Sequence, residues 1–135
     1  MIKSALRYLL VIMAVSLFVP GLGSAGSADI SGNYAVTGWN PGSDPAGPKD
    51  YDGAVVLTAW GEVWKYRGEM DGHVYVGVGF FDEAARTLSL SFTSEDGSEA
   101  GVTVLKATQD GFSGRWVFAG VGDGVTGHET WTRAR

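Results

Sequence analysis

The chain has 135 residues, no cysteine and a formal net charge of −5. The acid excess disfavours nucleic acid, whose phosphates attract basic stripes, and anionic lipid headgroups for the same reason. The missing thiols exclude a disulfide scaffold and thiolate chemistry, so one aromatic-rich core has to hold a single domain together.

Residues 1–7 (MIKSALR) form a short basic start. An apolar run from Tyr8 to Pro20 follows, and then small residues to Ala28. This is the pattern of a secretory signal peptide, with cleavage expected after Ala25 or Ala28. The apolar run falls short of the roughly 20 residues that a membrane helix needs. Residues 1–28 are therefore expected to be a signal peptide and 29–135 a single exported domain, periplasmic or secreted. No membrane attachment is expected after cleavage.

Turn signals divide the rest into eight short runs with a period of two: Gly32–Trp39, Tyr51–Ala59, Val63–Met70, His73–Phe81, Thr87–Thr93, Gly101–Ala107, Phe112–Phe118 and Val125–Thr132. Four Asp-Gly dipeptides begin at Asp71, Asp96, Asp110 and Asp123 and mark tight turns. Asn40–Lys49, rich in Pro and Gly, is the longest connection and is expected to be a mobile flap. Strands at this spacing predict an antiparallel meander. Closing it into an all-β, up-and-down eight-stranded barrel of calycin or avidin-like layout removes both open edges.

Alternation assigns the faces. Tyr51, Gly53, Val55 and Leu57 share one side of their strand; Trp64, Tyr66 and Gly68 share another. Leu88, Leu90 and Phe92 form a third such face, and Phe112, Gly114, Trp116 and Phe118 a fourth. The recurring aromatic–glycine pairs are expected inside, because a narrow barrel cannot hold a large ring at every inward position. Tyr75 is placed inward by the same pairing. That leaves Val74, Val76, Val78 and Phe80 outward, as a potential partner surface.

The pattern Gly32-x-Tyr34-x-Val36-x-Gly38, Tyr51-x-Gly53, Tyr66-x-Gly68, Tyr75-x-Gly77-x-Gly79, Phe112-x-Gly114-x-Trp116 and Gly127-x-Glu129 resembles a largely uncharacterised family of small secreted bacterial β-barrels, some labelled fibronectin-binding. The resemblance implies an exported barrel and carries no catalytic residues with it. More distantly the layout is similar to avidin, lipocalin and metalloprotease-inhibitor barrels. Tyr34 stands where a lipocalin has Trp, and the disulfide usual in the inhibitors is impossible here.

His73, beside the Asp71-Gly72 turn, reads as an exposed strand end, and His128 as outward-facing. Neither has companions at metal-ligand spacing, so no metal site and no cofactor is expected. Asp44, Asp50 and Asp52 do not match a calcium loop. Glu129 shares the inner face of the last strand with Gly127 and Trp131. A buried carboxylate needs donors, and Tyr34, Trp64, Tyr66 and Trp116 are the donors expected for it, either in a structural network that closes the barrel between its first and last strands or around a polar anchor at the base of a ligand pocket. The candidate ligand-binding residues are thus Tyr34, Trp64, Tyr66, Tyr75, Trp116, Glu129 and Trp131. The expected function is a non-enzymatic binding module for a small apolar molecule or a protein surface. The alternatives are an extracytoplasmic protease inhibitor using the Asn40–Lys49 loop, and an enzyme using Glu129 as acid or base.

Overall fold

A computed structural model describes residues 28–135; the signal-peptide reading falls on residues that lie almost wholly outside them. Eight antiparallel strands form a closed barrel in sequence order: β1 (Gly32–Trp39), β2 (Tyr51–Trp60), β3 (Val63–Met70), β4 (His73–Asp82), β5 (Thr87–Ser94), β6 (Ala100–Ala107), β7 (Gly111–Phe118) and β8 (Gly127–Arg133). The meander closes where β1 pairs with β8, from Tyr34↔Arg133 to Trp39↔His128. The all-β, eight-stranded up-and-down barrel expected from turn spacing is the fold observed. Every backbone edge is thereby paired, which is how a meander avoids edge-to-edge aggregation.

Local chemistry sets the strand limits. The Asp71-Gly72 hairpin has both residues at positive φ, 49° and 79°, the conformation that matches strand twist in a two-residue loop. Between β4 and β5, the Asp82 carboxylate accepts the Ala85 N–H at 3.1 Å and the Glu83 carbonyl accepts the Arg86 N–H at 3.3 Å. The last strand begins at Gly127 rather than Val125. Gly120, Gly122 and Gly124 all take positive φ, and Val121 and Val125 are exposed, so pairing starts only after the glycine-rich loop ends. The Asn40–Lys49 connection is internally hydrogen-bonded. Asp44 caps its turn by accepting the Ala46 N–H on its side chain and the Gly47 N–H on its carbonyl. Trp39 Nε1 donates to the Gly47 carbonyl at 3.1 Å and Asn40 N–H to the Asp50 carboxylate at 2.8 Å. Short polar side chains that bond to nearby backbone thus give this loop a folded form.

The inward faces are those expected from alternation. Val55, Leu57, Leu88, Leu90, Phe92, Leu105, Phe112 and Trp131 are buried, together with Tyr34, Val36, Tyr66 and Met70. On β4, Val76, Val78 and Phe80 face out and are exposed, while Tyr75 points in and meets the edge of Phe92, ring centroids 5.6 Å apart.

The two ends of the barrel differ. At the end carrying both chain termini of the domain, Ile30, Tyr34, Phe112 and Trp131 fill the interior. There the Tyr34 hydroxyl donates to the Ile30 carbonyl at 2.7 Å. The Arg133 guanidinium donates to the carbonyls of Asp29 and Ser31 and to the Tyr34 hydroxyl. These bonds lash the N-terminal segment across the barrel mouth. The opposite end, framed by the β1–β2, β3–β4, β5–β6 and β7–β8 connections, has no such plug among the described residues.

Glycine plays two parts in this interior. At Gly38 and Gly127 the absent side chain makes room for a ring from the neighbouring strand, Tyr51 and Trp116 respectively. At Gly77 and Gly114 it lets adjacent backbones approach, because a methyl group there would strike the Ser91 and Val104 carbonyls. The ring over Gly38 comes from its cross-strand partner Tyr51, so the contact is not between residues two apart in one strand.

Candidate functional site

A cavity of ≈ 230 Å³ occupies the unplugged end. Its walls are rings: Tyr51, Tyr66, Tyr75, Phe92, Trp116 and Phe118, with Met70 beside them. Its buried carboxylate is Glu129, which is 7% exposed. Thr103 lies on the wall, and Asn40, Asp71, His73 and Glu99 stand at the rim. The alternation of each strand puts these side chains in one place. β2 supplies Tyr51, β3 Tyr66, β4 Tyr75, β7 Trp116 and β8 Glu129.

Glu129 sits opposite glycine on both sides, Gly38 on β1 and Gly114 on β7. With no neighbouring side chain in the way, its carboxylate receives two donors. Oε1 accepts the Tyr51 hydroxyl at 2.7 Å and Oε2 accepts the Trp131 indole N–H at 2.9 Å. Trp131 is held rigidly in turn. It stacks on Tyr66 at 5.8 Å with a 17° tilt, and its ring lies 6.0 Å from Phe112 and 5.8 Å from Tyr34. The carboxylate is therefore fixed from behind by the core and from the side by Tyr51.

Burial raises the Glu129 pKa above the ordinary 4.5, and the bonds from Trp131 and Tyr51 oppose that rise without cancelling it. Tyr51 and Tyr66 are pushed far above the ordinary phenol range, first by burial and then by the Glu129 charge. Tyr75 rises to about 12, again by burial first and then by the adjacent Glu99, whose carboxylate accepts its hydroxyl at 3.3 Å. The phenols of the cavity are neutral near pH 7 and act as hydrogen-bonding groups only. Trp116 Nε1 is near enough to Tyr51 to offset a little of that phenol's shift. It nevertheless meets no acceptor in hydrogen-bonding geometry, and lies unpartnered over Gly127.

Four of the seven candidates, Tyr66, Tyr75, Trp116 and Glu129, line the cavity together. The other three do not. Trp131 lies behind Glu129 as its donor. Tyr34 belongs to the plugged end, bonded to Ile30 and Arg133. Trp64 is half-buried against the core, in register with Gly79. Of the four donors expected for Glu129, none bonds to it; the donors are Tyr51 and Trp131. Tyr51 was legible as an inward ring, but its reach across Gly38 depends on strand register, which alternation alone does not give. His128 faces outward as expected, within 3.1 Å of the Ser113 hydroxyl and edge-on to Trp39.

The raised Glu129 pKa gives a testable pH dependence. A carboxyl whose native pKa exceeds its unfolded value contributes stability that is complete below about pH 4.5 and is lost as pH rises through the native value. Glu129→Gln cannot titrate, and its amide can still face an oxygen to Trp131 and a nitrogen to Tyr51. The stability difference between the two proteins should therefore shift towards the Gln variant as pH rises, then level off. The carboxylates at Asp29, Asp50 and Asp96, whose pKa values are lowered by local hydrogen bonds, are present in both proteins and cancel in the difference. Thermal melts from about pH 4 to about pH 8 measure it. A flat difference would show an ordinary, solvated carboxyl.

Fold and site together define an eight-stranded barrel plugged at one end, with an aromatic cavity and one deep carboxylate at the other. No family model matches the chain, and neither does any curated protein.

Proposed function

We propose that the protein is an exported, non-enzymatic binding module that takes one small, largely apolar molecule into the open end of its barrel. The observation that carries this reading is the ring-walled cavity with Glu129 at its base. Small-molecule sites are typically concave and apolar, with a few convergent polar groups that fix orientation. An apolar cavity of roughly 150 Å³ takes up benzene, so ≈ 230 Å³ suits a ring with a short substituent. The signal-peptide pattern of residues 1–28 supports export. The resemblance to small secreted barrels, and the avidin-like and lipocalin-like layout, support the same use of the fold. The compact, internally bonded Asn40–Lys49 loop gives less support to the inhibitor alternative, which wants a segment free to enter an active site.

Titration with toluene, followed by amide NMR, tests the proposal. Shifts should concentrate at Met70, Phe92, Thr103 and Trp116, and Thr103→Phe, which fills the space, should abolish them while the barrel still melts cooperatively. Shifts confined to the outer wall, or none at all, would overturn it.

A further inference from the structure

We infer that the ligand of this cavity is a small organic cation, with an ammonium head seated against Glu129 and an apolar body held among the aromatic rings. The inference rests on the cavity being a binding site, and it adds the chemical class of the ligand.

Charge is the first support. Three carboxylates, Glu129, Glu99 and Asp71, belong to the cavity and its rim; among the described residues that line it there is no lysine or arginine, and His73 is the one basic side chain. An anion entering would approach three like charges, whereas a cation is drawn inwards along a graded acidic path.

The rings are the second. Tyr51, Tyr66, Tyr75, Phe92, Trp116 and Phe118 surround the space. An aromatic face attracts a cation placed within about 6 Å of its centroid, and several rings around one volume are the usual device for holding an ammonium group. These rings brace one another: Trp116 meets Phe118 edge-on at 5.0 Å, and Tyr51 meets Trp116 edge-on at 6.3 Å. The cage exists before the ligand arrives, so little ordering is required on binding.

The third support is the way Glu129 is held. Each of its oxygens already accepts one hydrogen bond from the protein, Oε1 from Tyr51 and Oε2 from Trp131. An ionised carboxylate offers about four acceptor sites, so roughly half remain for an ammonium N–H. The two protein donors fix the group at the cavity floor without neutralising it. Burial disfavours its charged form, and a cation beside it supplies the countercharge that the protein lacks at that depth. A neutral alcohol could donate one hydrogen bond to it, but would leave the carboxylate charge uncompensated.

Three probes of matched shape separate the possibilities: 2-phenylethylammonium, 2-phenylethanol and phenylacetate, titrated at about pH 6 and again at about pH 8, since raising the pH shifts Glu129 towards its ionised form. The ammonium should bind at least tenfold more tightly than the alcohol, and phenylacetate should not bind. In Glu129→Gln the ammonium should weaken tenfold or more while the alcohol keeps its affinity, so that the preference disappears. Glu99→Gln, at the half-exposed rim, should keep the fold and reduce the preference two- to threefold. It decides the question if Glu129→Gln does not fold, because an unchanged preference there would overturn the inference. If the alcohol binds as well as the ammonium, or phenylacetate binds best, the cation assignment is overturned and the cavity remains a binding site. If none of the three shifts the cavity residues, the binding-module reading fails and the cation assignment with it.

Discussion

Trp131→Ala should lower the unfolding free energy by about 3–5 kcal/mol, the range for removing a large buried aromatic side chain. Trp131 is 1% exposed and touches three rings, Tyr34 and Phe112 at the plugged end and Tyr66 on the cavity wall. It also forms the partition between that packed end and the open cavity. Its removal leaves a void next to existing empty space, so neighbouring side chains cannot collapse to fill it. Water reaching Glu129 would soften the loss, because the carboxylate would regain solvation. Trp131→Phe separates the two contributions. It keeps most of the ring packing and removes the N–H that Glu129 Oε2 accepts. Without that donor the Glu129 pKa should move higher still, since the Trp131 bond is the larger of the two forces holding it down. Urea denaturation of both variants measures the energies, and a loss below about 1 kcal/mol for Trp131→Ala would contradict its place at the centre of the core.

The barrel was readable because three signals agreed. Asp-Gly turns, runs of seven to nine residues and a period of two all pointed to paired antiparallel strands of similar length. Alternation also gave the right inner face for each strand where it was clear. It gave Tyr75 correctly as well, though only through the aromatic–glycine pairing, since both faces of β4 are apolar. What alternation lacks is position along the barrel axis. Tyr34 and Tyr66 both point inwards, yet one helps to plug an end and the other lines the cavity. The difference arises from register: Tyr34 pairs with Val55 and Arg133, and Tyr66 with Leu57 and Gly77. The donors to Glu129 were missed for the same reason. Tyr51 reaches it over Gly38, and Trp131 reaches back from two residues along the same face. Both contacts depend on which residues stand beside the carboxylate, and hydrophobic periodicity carries no such information. The internal bonds of the Asn40–Lys49 loop were not legible from composition. Asp44 accepts the Ala46 and Gly47 N–H groups and the Asp50 carboxylate accepts the Asn40 N–H, contacts that a count of prolines and glycines does not reveal.

Gly114→Ala should destabilise the barrel by about 1–3 kcal/mol or somewhat more, the cost of forcing a carbon into a filled core, whereas Gly38→Ala should chiefly damage the site. Both glycines flank Glu129, on β7 and β1, so the pair isolates what each absent methyl group protects. At Gly114 an added methyl would strike the Val104 carbonyl oxygen and come within 2.7 Å of the Leu105 Cα. Both obstacles are backbone, and Leu105 is fully buried, so relief requires β6 and β7 to move apart and weaken their ladder. At Gly38 the obstacle is the ring of Tyr51. That side chain is only partly buried and borders the cavity, so it can swing aside. The strands would then stay paired, and the cost should be the single Tyr51–Glu129 hydrogen bond, about 0.5–1.5 kcal/mol. The swung ring would occupy the cavity and uncover Oε1 of Glu129, so binding of any probe should fall by more than that stability loss accounts for. Denaturation and probe titration of both variants read the contrast directly. Equal destabilisation by the two substitutions would mean that Tyr51 is as immobile as the backbone, and the site would then have to be regarded as part of the rigid core.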